Sequence, residues 1–183
     1  MRPRKKNKSA NILDTISPND AFVILKILAK EDTNIAKRIE QLAIDYLGNV
    51  DIEDVAEEVY WELNGIEVEE VWDRSGSTRD GYIDPGDMAY EMFEEALEPF
   101  LNELKKCQKL SLFNQAKYHC MGILKGIYKF HKESTSEYKD WAVDAPCEYF
   151  DVVLKDWKND CQKPEYLKEV KEFIKKNFPD WAN

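Results

Sequence analysis

Between Asp73 and Asp87 the chain reads DRSGSTRDGYIDPGD, with four carboxylates, two guanidinium groups and three glycines. Oxygen ligands on a tight turn are what a hard divalent cation takes, about six to eight of them for calcium. The register of such an ion loop fits in part: Gly81 takes the sharp turn, Asp80 precedes it, and Ile83 fills the apolar position. Asp87 takes the final acidic place, and a helix should follow. Asp73, Asp80, Asp84 and Asp87 are therefore the candidate metal ligands, and calcium the candidate cofactor. The departures are serious. The first ligand place falls on Gly76, the third on Thr78, and no second copy of the loop exists. A plain capped connector uses the same letters: Asp73 paired with Arg74, turns at Gly76 and Gly81, and Asp84 as N-cap to a helix opened by Pro85.

The second candidate surface is electrostatic. The net charge is −10 over 183 residues, but residues 51–98 alone hold 17 acids against Arg74 and Arg79, a net −15. Glu53, Asp54, Glu57, Glu58 and Glu62 alternate with an apolar stripe, and Glu91, Glu94, Glu95 and Glu98 do so further on. A solvated helix face has this pattern. So does a docking surface for a basic protein, which is the partner expected of this belt. The belt repels nucleic acid and anionic membranes. Only residues 1–8, with Arg2, Arg4, Lys5, Lys6 and Lys8, would hold nucleic acid, weakly and salt-sensitively.

Catalytic spellings are sparse. There is no Gly-rich phosphate loop, Gly-x-Ser-x-Gly elbow or His-Glu-x-x-His pair. His119 and Cys120 are adjacent, so on a helix they point about 100° apart. The four cysteines lack knuckle spacing and read as reduced thiols. The chain therefore leans away from enzymes, with an unrecognised site between helices as the remaining enzymatic reading.

The elements that must position these groups are helical. Seven Gly and seven Pro are too few for a β-sandwich. Ser17-Pro18 opens a helix over 18–30 with Phe22, Leu25, Ile27 and Leu28 buried. Asp32 caps 33–47 and Asp51 caps 52–64, the latter burying Val55, Val59 and Leu63. A short helix follows at 67–72, then a polar connector at 73–84. Pro85 begins a helix to about 110, with a kink or break expected at 95–99 because Pro99 removes a backbone donor. Helices over 112–131, 144–158 (capped by Asp144) and 164–177 complete the chain, with a second connector at 132–144. Gly122 and Gly126, four apart, mark close helix packing, and the five tryptophans read as packing anchors.

The expected fold is all-α: seven or eight helices in antiparallel hairpins, as a compact bundle or short solenoid-like stack. Residues 1–16 form a basic arm and 17–183 one helical domain. Trp72-Asp73-Arg74-Ser75-Gly76, Asp80 to Pro85, Glu98 to Leu101 and Gly122 to Tyr128 resemble a group of uncharacterised all-helical prokaryotic proteins, over about 17–158. That resemblance implies a soluble intracellular helical protein and no activity. The resulting expectation is a cytoplasmic, non-enzymatic protein–protein interaction module using the acidic surface 51–98. The alternative is a calcium-binding helical protein using the degenerate EF-hand-like loop 73–87. No membrane-spanning segment is expected, and the oligomeric state is open.

Overall fold

The computed structural model describes residues 15–79, 81–161 and 163–181. Eight α-helices are present among them: α1 (Pro18–Glu31), α2 (Thr33–Leu47), α3 (Ile52–Asn64), α4 (Val68–Arg74), α5 (Pro85–Lys109), α6 (Phe113–Glu133), α7 (Ala145–Asp160) and α8 (Pro164–Asn177). Two three-residue strands, β1 (Gly76–Thr78) and β2 (Gly81–Ile83), pair antiparallel between α4 and α5. Short 3-10 turns lie at Glu137–Asp140 and Pro179–Trp181. The all-α expectation holds, as a bundle. No helix among the described residues is long and apolar enough to cross a membrane. The basic arm expected at 1–16 lies outside the described residues except for Thr15 and Ile16.

The chain forms two compact units, divided between Tyr46 and Leu47. The first contains α1 and α2. Ser17 Oγ accepts the Asp20 N–H at 3.1 Å, so Ser17 caps α1 as its sequence predicts. Asp32 is extended and caps α2, its carboxylate accepting the Asn34 N–H at 2.7 Å. The buried face predicted for α1 is not found. Phe22, Leu25, Ile27 and Leu28 are all exposed, Phe22 to 57%. The periodicity marks the helix correctly, but spacing within one helix does not say what covers its apolar face, and among the described residues that face is exposed.

The second unit is built around α6, which packs against α3, α5, α7 and α8. Residues on all sides of α6 are buried, among them Ala116, Cys120, Ile123, Leu124, Ile127 and Phe130. A helix that is apolar around most of its circumference belongs inside. Its tightest neighbour is α3. A Cβ placed on Gly122 would lie 2.6 Å from Val55 Cβ, and one on Gly126 would lie 2.5 Å from Val59 Cβ and 2.8 Å from the Ala56 carbonyl oxygen. The two glycines are thus a groove that receives the valine ridge of α3, and the close packing predicted from their spacing is found.

The outer helices close over the rest of the core. Phe93 and Leu97 of α5 are fully buried, and Phe93 meets Phe130 at 6.0 Å between ring centroids. Tyr138 is buried and donates its hydroxyl hydrogen to the Ala89 carbonyl at 2.6 Å, pinning the 134–144 connector to α5. On α8, Glu169 pairs with the buried Lys117 ammonium, which lies over the Tyr118 and Tyr166 rings at 4.7 and 4.5 Å. The chain end is an aromatic knot of Tyr128, Phe150, Phe178 and Trp181.

Two local expectations are corrected. α5 does not break at 95–99: it runs unbroken through Pro99. Pro99 and Glu95 are both exposed, which leaves the carbonyl freed by proline on the solvent side of the helix. Asp144 precedes α7, but its side chain makes no capping bond, and only its carbonyl accepts from Cys147 and Glu148. The tryptophans, expected as packing anchors, range from the core to the surface: Trp157 is 2% exposed and Trp181 half-buried, whereas Trp61 is 63% exposed.

The glycine groove carries a direct prediction. Gly126→Ala forces a methyl group into Val59 and a backbone carbonyl, a clash that overpacking costs of about 1–3 kcal/mol describe. A chain of this length loses roughly 2–4 °C of Tm per kcal/mol. Thermal unfolding should therefore show a clear drop for Gly126→Ala and for Gly122→Ala. A Tm equal to that of the parent in both variants would refute the groove.

Candidate functional site

The acidic belt is carried by two neighbouring helices of the second unit. α3 presents Glu53, Asp54, Glu57, Glu58 and Glu62, and α5 presents Glu91, Glu94, Glu95 and Glu98, all of them exposed. The valine ridge of α3 enters the α6 groove, so its charged residues must lie along the flanks and the outer side. Asp51 caps this helix, accepting the Glu53 N–H at 2.7 Å and the Asp54 N–H at 3.3 Å.

The belt is not electrically uniform. Glu53 pairs with Lys125 and Glu57 with Lys129, one turn apart, so α6 supplies a two-rung ladder of cations to α3. Lys129 also sits over the Tyr60 ring at 4.6 Å. Its ammonium is held above the ordinary lysine range, chiefly by the Glu57 hydrogen bond. On α5, Glu95 accepts both Arg74 guanidinium nitrogens at 2.7 Å. That bidentate bond keeps the Glu95 carboxyl below its usual range and raises Arg74. Glu94 accepts the Tyr149 hydroxyl hydrogen at 2.9 Å. Burial, then the Glu94 hydrogen bond, push the Tyr149 phenol upward.

Glu58, Glu62, Glu91 and Glu98 form no ion pair among the described residues. Two of these border a depression of about 460 Å³ between α3 and α5, lined by Glu57, Glu58, Trp61, Glu62 and Phe100. Trp61 is held edge-on by Tyr60, with ring centroids 5.1 Å apart at 73°. A wide aromatic face bordered by carboxylates suits a cation: the ring quadrupole and the acids attract the same sign. Sequence reasoning found the acids here and missed the rings. As a sequence, Trp61 reads as a packing anchor like the other tryptophans. The available signal was that Trp61 falls two residues beyond Val59, off the stripe of Val55, Val59 and Leu63.

The described part of the loop 73–87 is a short hairpin followed by a capped helix. Its middle is a hairpin with register Gly76↔Ile83, Ser77↔Tyr82 and Thr78↔Gly81. Gly76 (φ 93°) and Gly81 (φ 143°) both have backbone angles that disfavour any side chain. Asp84 N-caps α5, accepting the Gly86 N–H at 2.8 Å. Asp73 and Asp87 are exposed, and Asp80 lies outside the described residues. Among the described residues no three His, Cys, Asp or Glu side chains gather as metal ligands do. Arg74 does not pair with Asp73 but reaches across to Glu95, because α4 lies against α5.

Comparison of the chain with protein-family models, with curated proteins and with solved structures returns no match. The class defined by fold and site is therefore the physical one, an α-helical bundle with a partly neutralised acidic face.

The Arg74–Glu95 clamp has a pH signature. A carboxyl whose folded pKa is lowered adds stability above its unfolded pKa, about 4.3 for glutamate. That stability is lost as pH falls through the lower folded value. Urea unfolding across this acid window should show a shallower pH slope for Glu95→Gln than for the parent. The pair is exposed, so the difference should stay within about 1 kcal/mol. Equal slopes would remove the clamp from the account.

Proposed function

We propose that the protein is a non-enzymatic interaction module whose α3–α5 face binds a basic segment of a partner protein. The observation that supports this reading is the depression at Trp61, where an aromatic face 63% exposed to solvent adjoins Glu57, Glu58 and Glu62. A Lys or Arg side chain gains there from cation–π attraction and from carboxylates that are not consumed by internal pairs. Glu57 is partly neutralised by Lys129, so Glu58 and Glu62 supply the free negative charge. Glu91 and Glu98 extend it along α5.

Seven of the nine belt acids fall into two classes with different work. Glu53, Glu57 and Glu95 hold helices together through Lys125, Lys129 and Arg74. Glu58, Glu62, Glu91 and Glu98 are the partner-facing charges. Charge reversal in the first class confuses binding with folding, whereas the second class can be changed on a solvated surface.

The test is titration of a labelled oligolysine peptide, and of an oligoarginine peptide, into the purified chain at low and at physiological salt. The expected result is saturable binding that weakens with salt. Glu58→Lys combined with Glu62→Lys should weaken it by at least about tenfold, and Trp61→Ala by a comparable factor, on the order of 1 kcal/mol or more. Binding indifferent to these three changes, or absent at low salt, overturns the reading.

A further inference from the structure

A second hollow has the opposite character. Both α7 and α8 rest on α6, and between them lies a cavity of about 610 Å³. Its apolar lining is Leu154 from α7, Leu167 and Ile174 from α8, and Trp181 from the closing 3-10 turn. Ile174 is buried at 7% exposure, and Leu154, Leu167 and Trp181 are half-buried. The Trp181 wall is fixed: its ring packs edge-on against Phe150 at 5.0 Å and against Tyr128 at 5.1 Å. Three ammonium groups border this apolar floor, Lys158 from α7 and Lys171 and Lys175 from α8. None of the three forms an ion pair among the described residues, and Asp151 is the one acid in the lining.

The sequence spacing explains the arrangement. Leu167, Lys171, Ile174 and Lys175 recur at three and four along α8, so they share one face. Asp151, Leu154 and Lys158 do the same on α7. Each face is mixed, apolar beneath and cationic above, and the two face a common space. Lys125, Lys129 and Lys132 pair with acids of other elements, whereas several surface lysines are solvated singly; what marks Lys158, Lys171 and Lys175 is that they share one cavity. These three remain uncompensated around a cavity whose size is typical of small-molecule sites, about 300–1,000 Å³.

We infer that the α7–α8 cavity binds an amphiphilic organic carboxylate, with its hydrocarbon body against Leu154, Leu167, Ile174 and Trp181 and its carboxylate among Lys158, Lys171 and Lys175. Burial of the hydrocarbon supplies the affinity and the lysines supply the sign discrimination. A cationic amphiphile of the same length meets the same floor but a repelling border.

Calorimetric titration of the full chain with monomeric dodecanoate, below its micelle concentration, tests the site. Dodecyltrimethylammonium is the matched cation, and vesicles containing an anionic phospholipid are the membrane arm. The expected result is one-to-one binding of dodecanoate, weakened at least about tenfold by Lys171→Glu with Lys175→Glu and little or not at all retained for the cation. These two lysines are exposed and outside the core, so the variant keeps the fold, checked by an unchanged helical circular dichroism spectrum. Leu167→Trp, which puts a bulkier ring into the apolar floor, should weaken binding by at least about tenfold while preserving all three lysines. Equal binding of anion and cation, dodecanoate binding insensitive to both variants, absence of dodecanoate heat at submillimolar concentration, or vesicle binding without monomer binding each overturns the inference.

Discussion

The approach of α3 to α6 sets the limits on everything else in the second unit. Two glycines on α6 admit two valines of α3 to a distance that any Cβ would forbid. Helices that come this close gain dispersion contacts along their whole length, and their flanks are brought within reach of each other. That is why Lys125 and Lys129, each three residues after a groove glycine, meet Glu53 and Glu57, each two residues before a ridge valine. The salt-bridge ladder is thus a consequence of the groove. Exposed pairs of this kind are worth little by themselves, about 0–1 kcal/mol each. Their effect is on charge: they neutralise one edge of the acidic helix and leave the other edge negative.

Much of this architecture was written locally. Asp51, Gly65 and the stripe of Val55, Val59 and Leu63 define α3 to the residue, because caps and periodicity act over one or two turns. Pro164 and the last helix were equally plain. What failed were statements about partners. Phe22, Leu25, Ile27 and Leu28 spell an apolar face, but no local rule says whether a core awaits it. Pro99 breaks a helix by local rules, and here the lost bond falls on the solvent side, so the helix continues. Arg74 was assigned to its neighbour Asp73 when its true partner lies 21 positions away. The candidate acids were all legible, yet their division into paired and free ones depends on tertiary neighbours: α6 for Glu53 and Glu57, and α4 for Glu95.

The α7–α8 hollow shows how a nearly balanced segment can hide a site. Residues 99–183 carry 15 cations and 13 acids, an unremarkable sum. Folding separates them: Lys125, Lys129 and Lys117 go to acids on other helices, whereas Lys158, Lys171 and Lys175 gather around the α7–α8 cavity. Net charge describes solubility and long-range steering. Local chemistry depends on which charges folding leaves without a mate.

The central position of α6 also has a kinetic side. Its groove glycines lie 67 positions along the chain from the valines they receive. During synthesis α3 emerges before α6, and its apolar stripe lacks the groove that receives it until α6 has left the ribosome. Pairings this distant in sequence must close a long loop before any contact rewards it, which slows folding relative to a bundle of local hairpins. Throughout that interval the exposed valines of α3 are protected from self-association by the same row of glutamates that flanks them, since like charges keep nascent chains apart. The acidic belt therefore guards the folding of the very helix on which it is displayed.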